Sequence, residues 1–154
     1  MINLRTLTLF LRDDEILLAM KKRGFGAGYY NGPGGKLESG ETLEQAMVRE
    51  CQEEISLTPK NWEKVAICDF EFPDHEQNMQ LHVFVCRQWE GEPAESEEMA
   101  PEWFNIKEIP YDKMWHDDIV WFPSVIAGSK LLGRFIFNGD ERMLSAELNF
   151  VEAL

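Results

Sequence analysis

Gly35 to Leu57, GKLESGETLEQAMVRECQEEISL, is the stretch that decides how this chain folds. It sets Glu50, Glu53 and Glu54 at helical spacing, just after a glycine-rich loop. Residues at i, i+3 and i+4 share a helix face, so these carboxylates are expected to project together. Like charges on one face repel, and a divalent cation removes the repulsion. Clustered oxygens are the donors that Mg²⁺ or Mn²⁺ prefers. A solvated acidic helix following a turn has the same spacing, so spacing alone leaves both open.

The flanking residues predict where the helix begins. Thr42 with Gln45 fits a capping box and fixes the start near Leu43. Val48, Cys51 and Ile55 form an apolar stripe that can dock on a core. Arg49 stands four residues before Glu53 and can orient its carboxylate. Ahead lies Asn31-Gly32-Pro33-Gly34-Gly35-Lys36, too rich in glycine for regular secondary structure. Such a loop lets backbone groups approach a ligand closely.

These residues also carry a family resemblance. Gly35, five residues, Glu41, seven residues, then Arg49-Glu50-Cys51-Gln52-Glu53-Glu54-Ile55-Ser56-Leu57 resembles the Nudix box, G-x5-E-x7-R-E-U-x-E-E-x-G-U. Cys51 stands at an aliphatic position, a mild change for a buried thiol. Ser56 stands where the box has its closing glycine, so a rebuilt helix exit is expected. The likeness covers nearly the whole chain. Met20 to Gly28, Asn31-Gly32, Glu95 to Met99, Met114 to Asp118, Trp121-Phe122-Pro123 and Phe135 to Asn138 are similar to the animal-type oxidised purine nucleoside triphosphate hydrolases. His116, Tyr30 and Pro33 depart from residues common in those relatives.

The resemblance implies Mg²⁺, with Mn²⁺ as a substitute, held by Glu50, Glu53, Glu54, the Gly34 carbonyl and Glu98. The three box glutamates would be catalytic, although which one deprotonates water is open. The implied reaction attacks a phosphate within the chain and releases a nucleoside monophosphate and pyrophosphate. Asn31 would hydrogen-bond the base, and Thr6 and Lys21 would lie near the sugar or phosphate end. Phe25, Phe70 and Met79 would form apolar walls, with Gly34, Gly35 and Lys36 completing the substrate site.

A second constellation points to base recognition. Asp117 and Asp118 sit between Trp115 and Trp121. An aromatic plane can stack on a purine while a carboxyl group bonds its edge. A desolvated Asp beside another Asp is expected to hold its proton, and a protonated carboxyl both donates and accepts. Such a pair could serve oxidised guanine and oxidised adenine alike. Core tryptophans beside an ordinary loop would give the same sequence.

Composition bounds the rest. A chain of 154 residues, 44% hydrophobic, fits one domain, expected over 1–154. Fifteen basic against 28 acidic residues give −13, which argues against a nucleic acid polymer as partner. Cys51, Cys68 and Cys86 lack CxxC spacing, so neither a disulfide framework nor a zinc site is expected. The N-terminus lacks a signal peptide's apolar stretch, and no segment approaches the ~20 apolar residues of a membrane span. A monomeric, cytoplasmic protein is expected, with no membrane partner.

The pattern along the chain is mixed strand and helix. Strands are expected at 4–11, 15–21, 65–72, 79–89 and 102–106, with Asp74 to Asn78 as a polar loop. A second helix is expected over 123–132, with Pro123 near its first turn. Arg134 to Phe137 and Leu144 to Phe150 should close a hairpin turned at Asn138-Gly139. His75 and His82 suggest no metal pair, and are expected to face solvent or a strand neighbour. The fold class is α/β: a sandwich with a mixed central sheet between helices, which is also the Nudix fold.

Three functions are compatible with the sequence. The first is a hydrolase of oxidised purine nucleoside triphosphates such as 8-oxo-dGTP and 2-hydroxy-dATP. The second is a Nudix hydrolase of another nucleoside diphosphate derivative, and the third a nucleotide-sensing module without turnover. Metal-dependent turnover separates the third from the others, and a substrate panel separates the first two.

Overall fold

In the computed structural model of the chain, helix α1 runs over Leu43–Ile55, where the capping box places it. Thr42 accepts from the Gln45 backbone, and the Gln45 side chain accepts from Thr42 N at 3.0 Å. The structure describes residues 2–73, 78–138 and 142–154. The expected loop at Asp74 to Asn78, His75 within it, and Gly139 of the expected turn fall wholly or partly outside those residues.

The helix exit is not rebuilt. Ser56 adopts the left-handed conformation (φ 63°) that the glycine would have taken, and its N–H donates to Gln52 O at 3.2 Å. Met47, Cys51 and Ile55 are fully buried on one α1 face, with Val48 half-buried beside them.

Among the described residues nine strands form one mixed sheet. β1 is Asn3–Arg12 and β2 Glu15–Lys21, joined by a turn at Asp13. The glycine-rich loop departs from expectation by forming two short strands, β3 Tyr30–Asn31 and β4 Gly34–Lys36. β5 is Thr58–Glu71, β6 Met79–Glu90 and β7 Met99–Asn105. β8 is Lys130–Phe137 and β9 Met143–Val151. The path runs β3-β2-β1-β6-β5-β8-β9, with β4 on β1 and β7 on β2. β1 is parallel to β6 and β5 to β8; the other pairings are antiparallel.

The second helix, α2, spans Asp118–Ile126 rather than 123–132. Pro123 lies inside it, and Trp121, Phe122 and Val125 bury its apolar face. That burial outweighs the one backbone hydrogen bond that proline removes. Leu131 and Leu132 belong to β8, paired with Ala66 and Ile67 of β5. α1 packs on the sheet face of Phe10, Leu17 and Phe84, and α2 on the face of Leu7, Leu9 and Phe135. The sheet therefore lies between the helices, as expected.

The β1–β2 seam positions the site. The strands pair at Phe10↔Leu17 through Arg12↔Glu15, then separate. Beyond that point β3 takes the freed edge of β2 at Ala19 and Met20, and β4 takes β1 at Arg5 to Leu7. The glycine segment is thus wedged into a split sheet.

Candidate active site

Close approach explains the glycines. A Cβ on Gly34 would strike the Thr6 carbonyl, and one on Gly35 would lie 2.7 Å from Glu50 Oε1. Bare backbone is therefore required at Gly34, where β4 passes against β1, while Gly35 leaves room for the Glu50 carboxylate. Gly34 N–H donates to Glu54 Oε1 at 3.0 Å.

Arg49 organises the acidic helix. It holds Glu41 bidentately at 2.7 and 2.9 Å, and reaches Glu50 at 2.9 Å and Glu53 at 3.2 Å. It also donates to the Lys36 carbonyl at 3.1 Å. Glu54 is 5% exposed, and burial together with Glu50 pushes its carboxyl up to about 8. Two carboxylates crowded in this way, beside a bare backbone turn, fit a hard divalent cation in donor chemistry. Among the described residues no three acidic, histidine or cysteine groups converge at one point. Glu50 and Glu53 turn to Arg49, and Glu54 turns to Gly34.

A cleft of about 840 Å³, counted out to its open mouth, begins at Glu54, Gly34 and Gly35. Thr6, Lys21, Phe25, Asn31, Phe70, Met79, Trp115, Asp117 and Asp118 also line it. Its mixed polar and apolar lining suits a small organic ligand. Glu54 comes from the helix on one sheet face, and the aspartates stand at the start of the helix on the other. The split seam lets both reach one cleft.

Both aspartates are 3% exposed, and burial raises both carboxyls, Asp118 well above its ordinary range. Asp117 accepts from Trp121 Nε1 at 2.7 Å and from the Asp118 side chain, which favour its charge. One proton therefore rests on Asp118, and Asp118 Oδ2 is buried without a protein partner. Asn31 Oδ1 accepts from Gly32 N at 2.9 Å, which fixes its amide. The Thr6 hydroxyl is also buried without a partner.

Two residues expected at the substrate site, Trp121 and Lys36, lie off the cleft. Trp121 is fully buried and does not line the cleft; it orients Asp117 instead of presenting a stacking face. The Lys36 side chain is exposed and off the cleft. Glu50, Glu53 and Glu98 do not line it either. Glu50 abuts Gly35, while Glu98 bonds Lys21 at 2.9 Å and Arg23 at 3.3 Å. Trp115 is stacked by Phe25, with centroids 5.1 Å apart. His82 meets strand neighbours, Lys64 at 3.0 Å and Gln80 at 2.8 Å.

Sequence reasoning missed Arg5, Leu7, Phe72, Leu81, Met99 and Phe137, which also line the cleft. Phe72 and Phe137 carried a signal in their i+2 spacing from Phe70 and Phe135. The structure stacks them as pairs, Phe70 on Phe135 at 5.2 Å and Phe72 on Phe137 at 5.3 Å.

The NUDIX domain pattern matches residues 3–125. The chain is 47% identical over 151 residues to the oxidized purine nucleoside triphosphate hydrolase of Danio rerio, covering 98% of this chain and 97% of that one. Its identity to the Mus musculus protein of the same name is 43% over 150 residues, with 97% and 96% covered. Among solved structures, the mutator MutT protein of Bacillus halodurans superposes with a TM-score of 0.86 at 29% identity, covering 96% of this chain and 98% of that one. A pattern running from β1 into α2, and relatives matched over almost their whole length, place the chain in the Nudix family.

Proposed function

We propose that this chain is a nucleotide-pool sanitising hydrolase. It would cleave oxidised purine nucleoside triphosphates, 8-oxo-dGTP and 2-hydroxy-dATP among them, to the monophosphate and pyrophosphate. The buried Asp117–Asp118 pair carries this assignment, because the one proton it shares can turn from Asp117 to a purine edge while the other carboxylate accepts, inside an aromatic cleft. The names of the fish and mouse relatives support the same substrate class.

Nudix hydrolases use divalent metal ions. Here Mg²⁺, or Mn²⁺ in its place, would be held by Glu50, Glu53, Glu54, the Gly34 carbonyl and Glu98. When bound, the ion supplies charge neutralisation along the phosphates and activation of water. The remaining work falls to the chain. Phe70 and Met79 shape the apolar wall, Phe25 and Trp115 offer ring faces, and Asn31 bonds the base. Thr6 and Lys21 attend the sugar and phosphate end. Arg49 holds the backbone of Lys36 against the acidic helix and so keeps Gly34 and Gly35 in place. The expected setting is one cytoplasmic, monomeric domain over 1–154, with a small-molecule partner and neither nucleic acid nor membrane. No described helix is long and apolar enough to cross a membrane.

Pyrophosphate release is to be measured with Mg²⁺ over normal and modified purine nucleoside triphosphates, with Glu54→Gln and chelator controls. Preference for an oxidised purine, lost in both controls, is the expected result. Even activity across the panel would discard the base-pocket assignment. An Asp117→Asn and Asp118→Asn series that kept full discrimination among purines would do the same.

A further inference from the structure

Arg5 occupies an unusual place. It shares its β1 face with Leu7, Leu9 and Leu11, all buried in the core beneath α2. At the cleft end of this apolar row the sequence supplies a cation. The side chain is half-buried, and its Nε is buried with no hydrogen-bond partner. A guanidinium held that way is costly unless a ligand supplies the acceptor.

The neighbouring cations are already engaged. Lys21 is held by Glu98 at 2.9 Å, and Arg23 by Glu97 and Glu98 at 3.3 Å each. Arg49 is taken by Glu41 and Glu50. Among the described cleft-lining cations, Arg5 has no ion pair within 4.0 Å. Its guanidinium carbon sits 5.8 Å from the centroid of the Phe25 ring, and the carboxylate whose field favours its charge is Glu50. Arg5 therefore stands between the aromatic end of the cleft and the acidic helix. A nucleotide with its base at Asp117–Asp118 and its outer phosphates at the glutamates must pass its sugar–phosphate junction through that interval.

We propose that Arg5 is a substrate-binding residue that donates hydrogen bonds to the α-phosphate of the bound nucleotide. The planar fork of a guanidinium suits a phosphate, whose oxygens satisfy the orphaned Nε. This assignment rests on the function proposed above, because it takes the orientation of the nucleotide from it.

The test is calorimetric binding of 8-oxo-dGMP and of the uncharged 8-oxo-deoxyguanosine to wild type, Arg5→Gln and Arg5→Lys without turnover. Arg5→Gln is expected to weaken the monophosphate about 10- to 100-fold and leave the nucleoside unchanged. Arg5→Lys, which keeps charge and length, should recover part of the loss. In turnover the Gln variant should show a raised KM. Equal weakening of nucleoside and monophosphate would overturn the proposal, because Arg5 would then act by holding Phe25. Unchanged binding of both would also overturn it. If the Gln variant unfolds, full monophosphate affinity in Arg5→Met would overturn it instead. Arg5-dependent monophosphate binding in an enzyme that hydrolyses no purine triphosphate would support Arg5 while refuting the proposed function.

Discussion

Trp121 donates its indole N–H to Asp117 Oδ2 at 2.7 Å, from one helical turn further along α2. Both residues are buried, so the bond helps keep a carboxylate charged where burial would neutralise it. Trp121→Phe keeps most of the ring and removes the donor. It should lose about 2–3 kcal/mol of stability, read as a lower Tm. It should also change the ratio of activities on oxidised guanine and oxidised adenine substrates. An unchanged ratio would separate Trp121 from base recognition.

Gly34 and Gly35 should respond differently to alanine. At Gly35 the new methyl meets the end of the Glu50 side chain at 2.7 Å, which can swing away. Stability should change by less than about 1 kcal/mol, while kcat/KM falls at least about tenfold if Glu50 holds the metal as proposed, because its carboxylate has moved. At Gly34 the methyl meets the backbone of β1, which cannot move. Loss of soluble, folded protein is expected there. Full activity of Gly35→Ala would place Glu50 outside the working site.

Ser56 is in the left-handed region with a side chain that disfavours it. Ser56→Gly should stabilise the protein by about 1 kcal/mol, raising Tm by about 2–4 °C for a chain of this size. Thermal unfolding of the pair measures this directly. A lower Tm would mean that the serine side chain makes a compensating contact.

Stability should also depend on pH through Asp118. Its folded carboxyl titrates well above the ordinary value, so the folded state binds the extra proton. The contribution is complete below the unfolded value near pH ~4 and is lost as pH rises toward the folded value. Asp118→Asn cannot lose that proton, so its Tm should gain on wild type as pH climbs from about 5 to 9. Glu54, pushed up to about 8, adds a trend of the same sign in both proteins and cancels in the difference. A constant Tm difference across that range would show that Asp118 titrates normally.

The box helix was legible because its determinants are local. Thr42, Gln45, Cys51 and Ile55 lie within one short window, and cap and stripe read the same in the sequence and in the fold. The second helix was not. Ile119 to Phe122 is an apolar run without a periodic signature, and a proline rule suited to a helix start misplaced it by five residues. Where burial against the sheet supplies the stabilisation, a mid-helix proline is tolerated, and no local rule registers that.

The sequence by itself determined the acidic helix, its cap, the glycines before it, most strands and the resemblance to the Nudix family. Each depends on hydrogen bonds or periodicities spanning a few residues. Only the tertiary structure decided that Trp121 serves Asp117 from the core, that Lys21 is held by Glu98, and that Arg5 reaches the cleft unpaired. Those relations join residues brought together by the split between β1 and β2, and their energies depend on burial. Burial is a property of the whole packed chain, and no short stretch of sequence contains it.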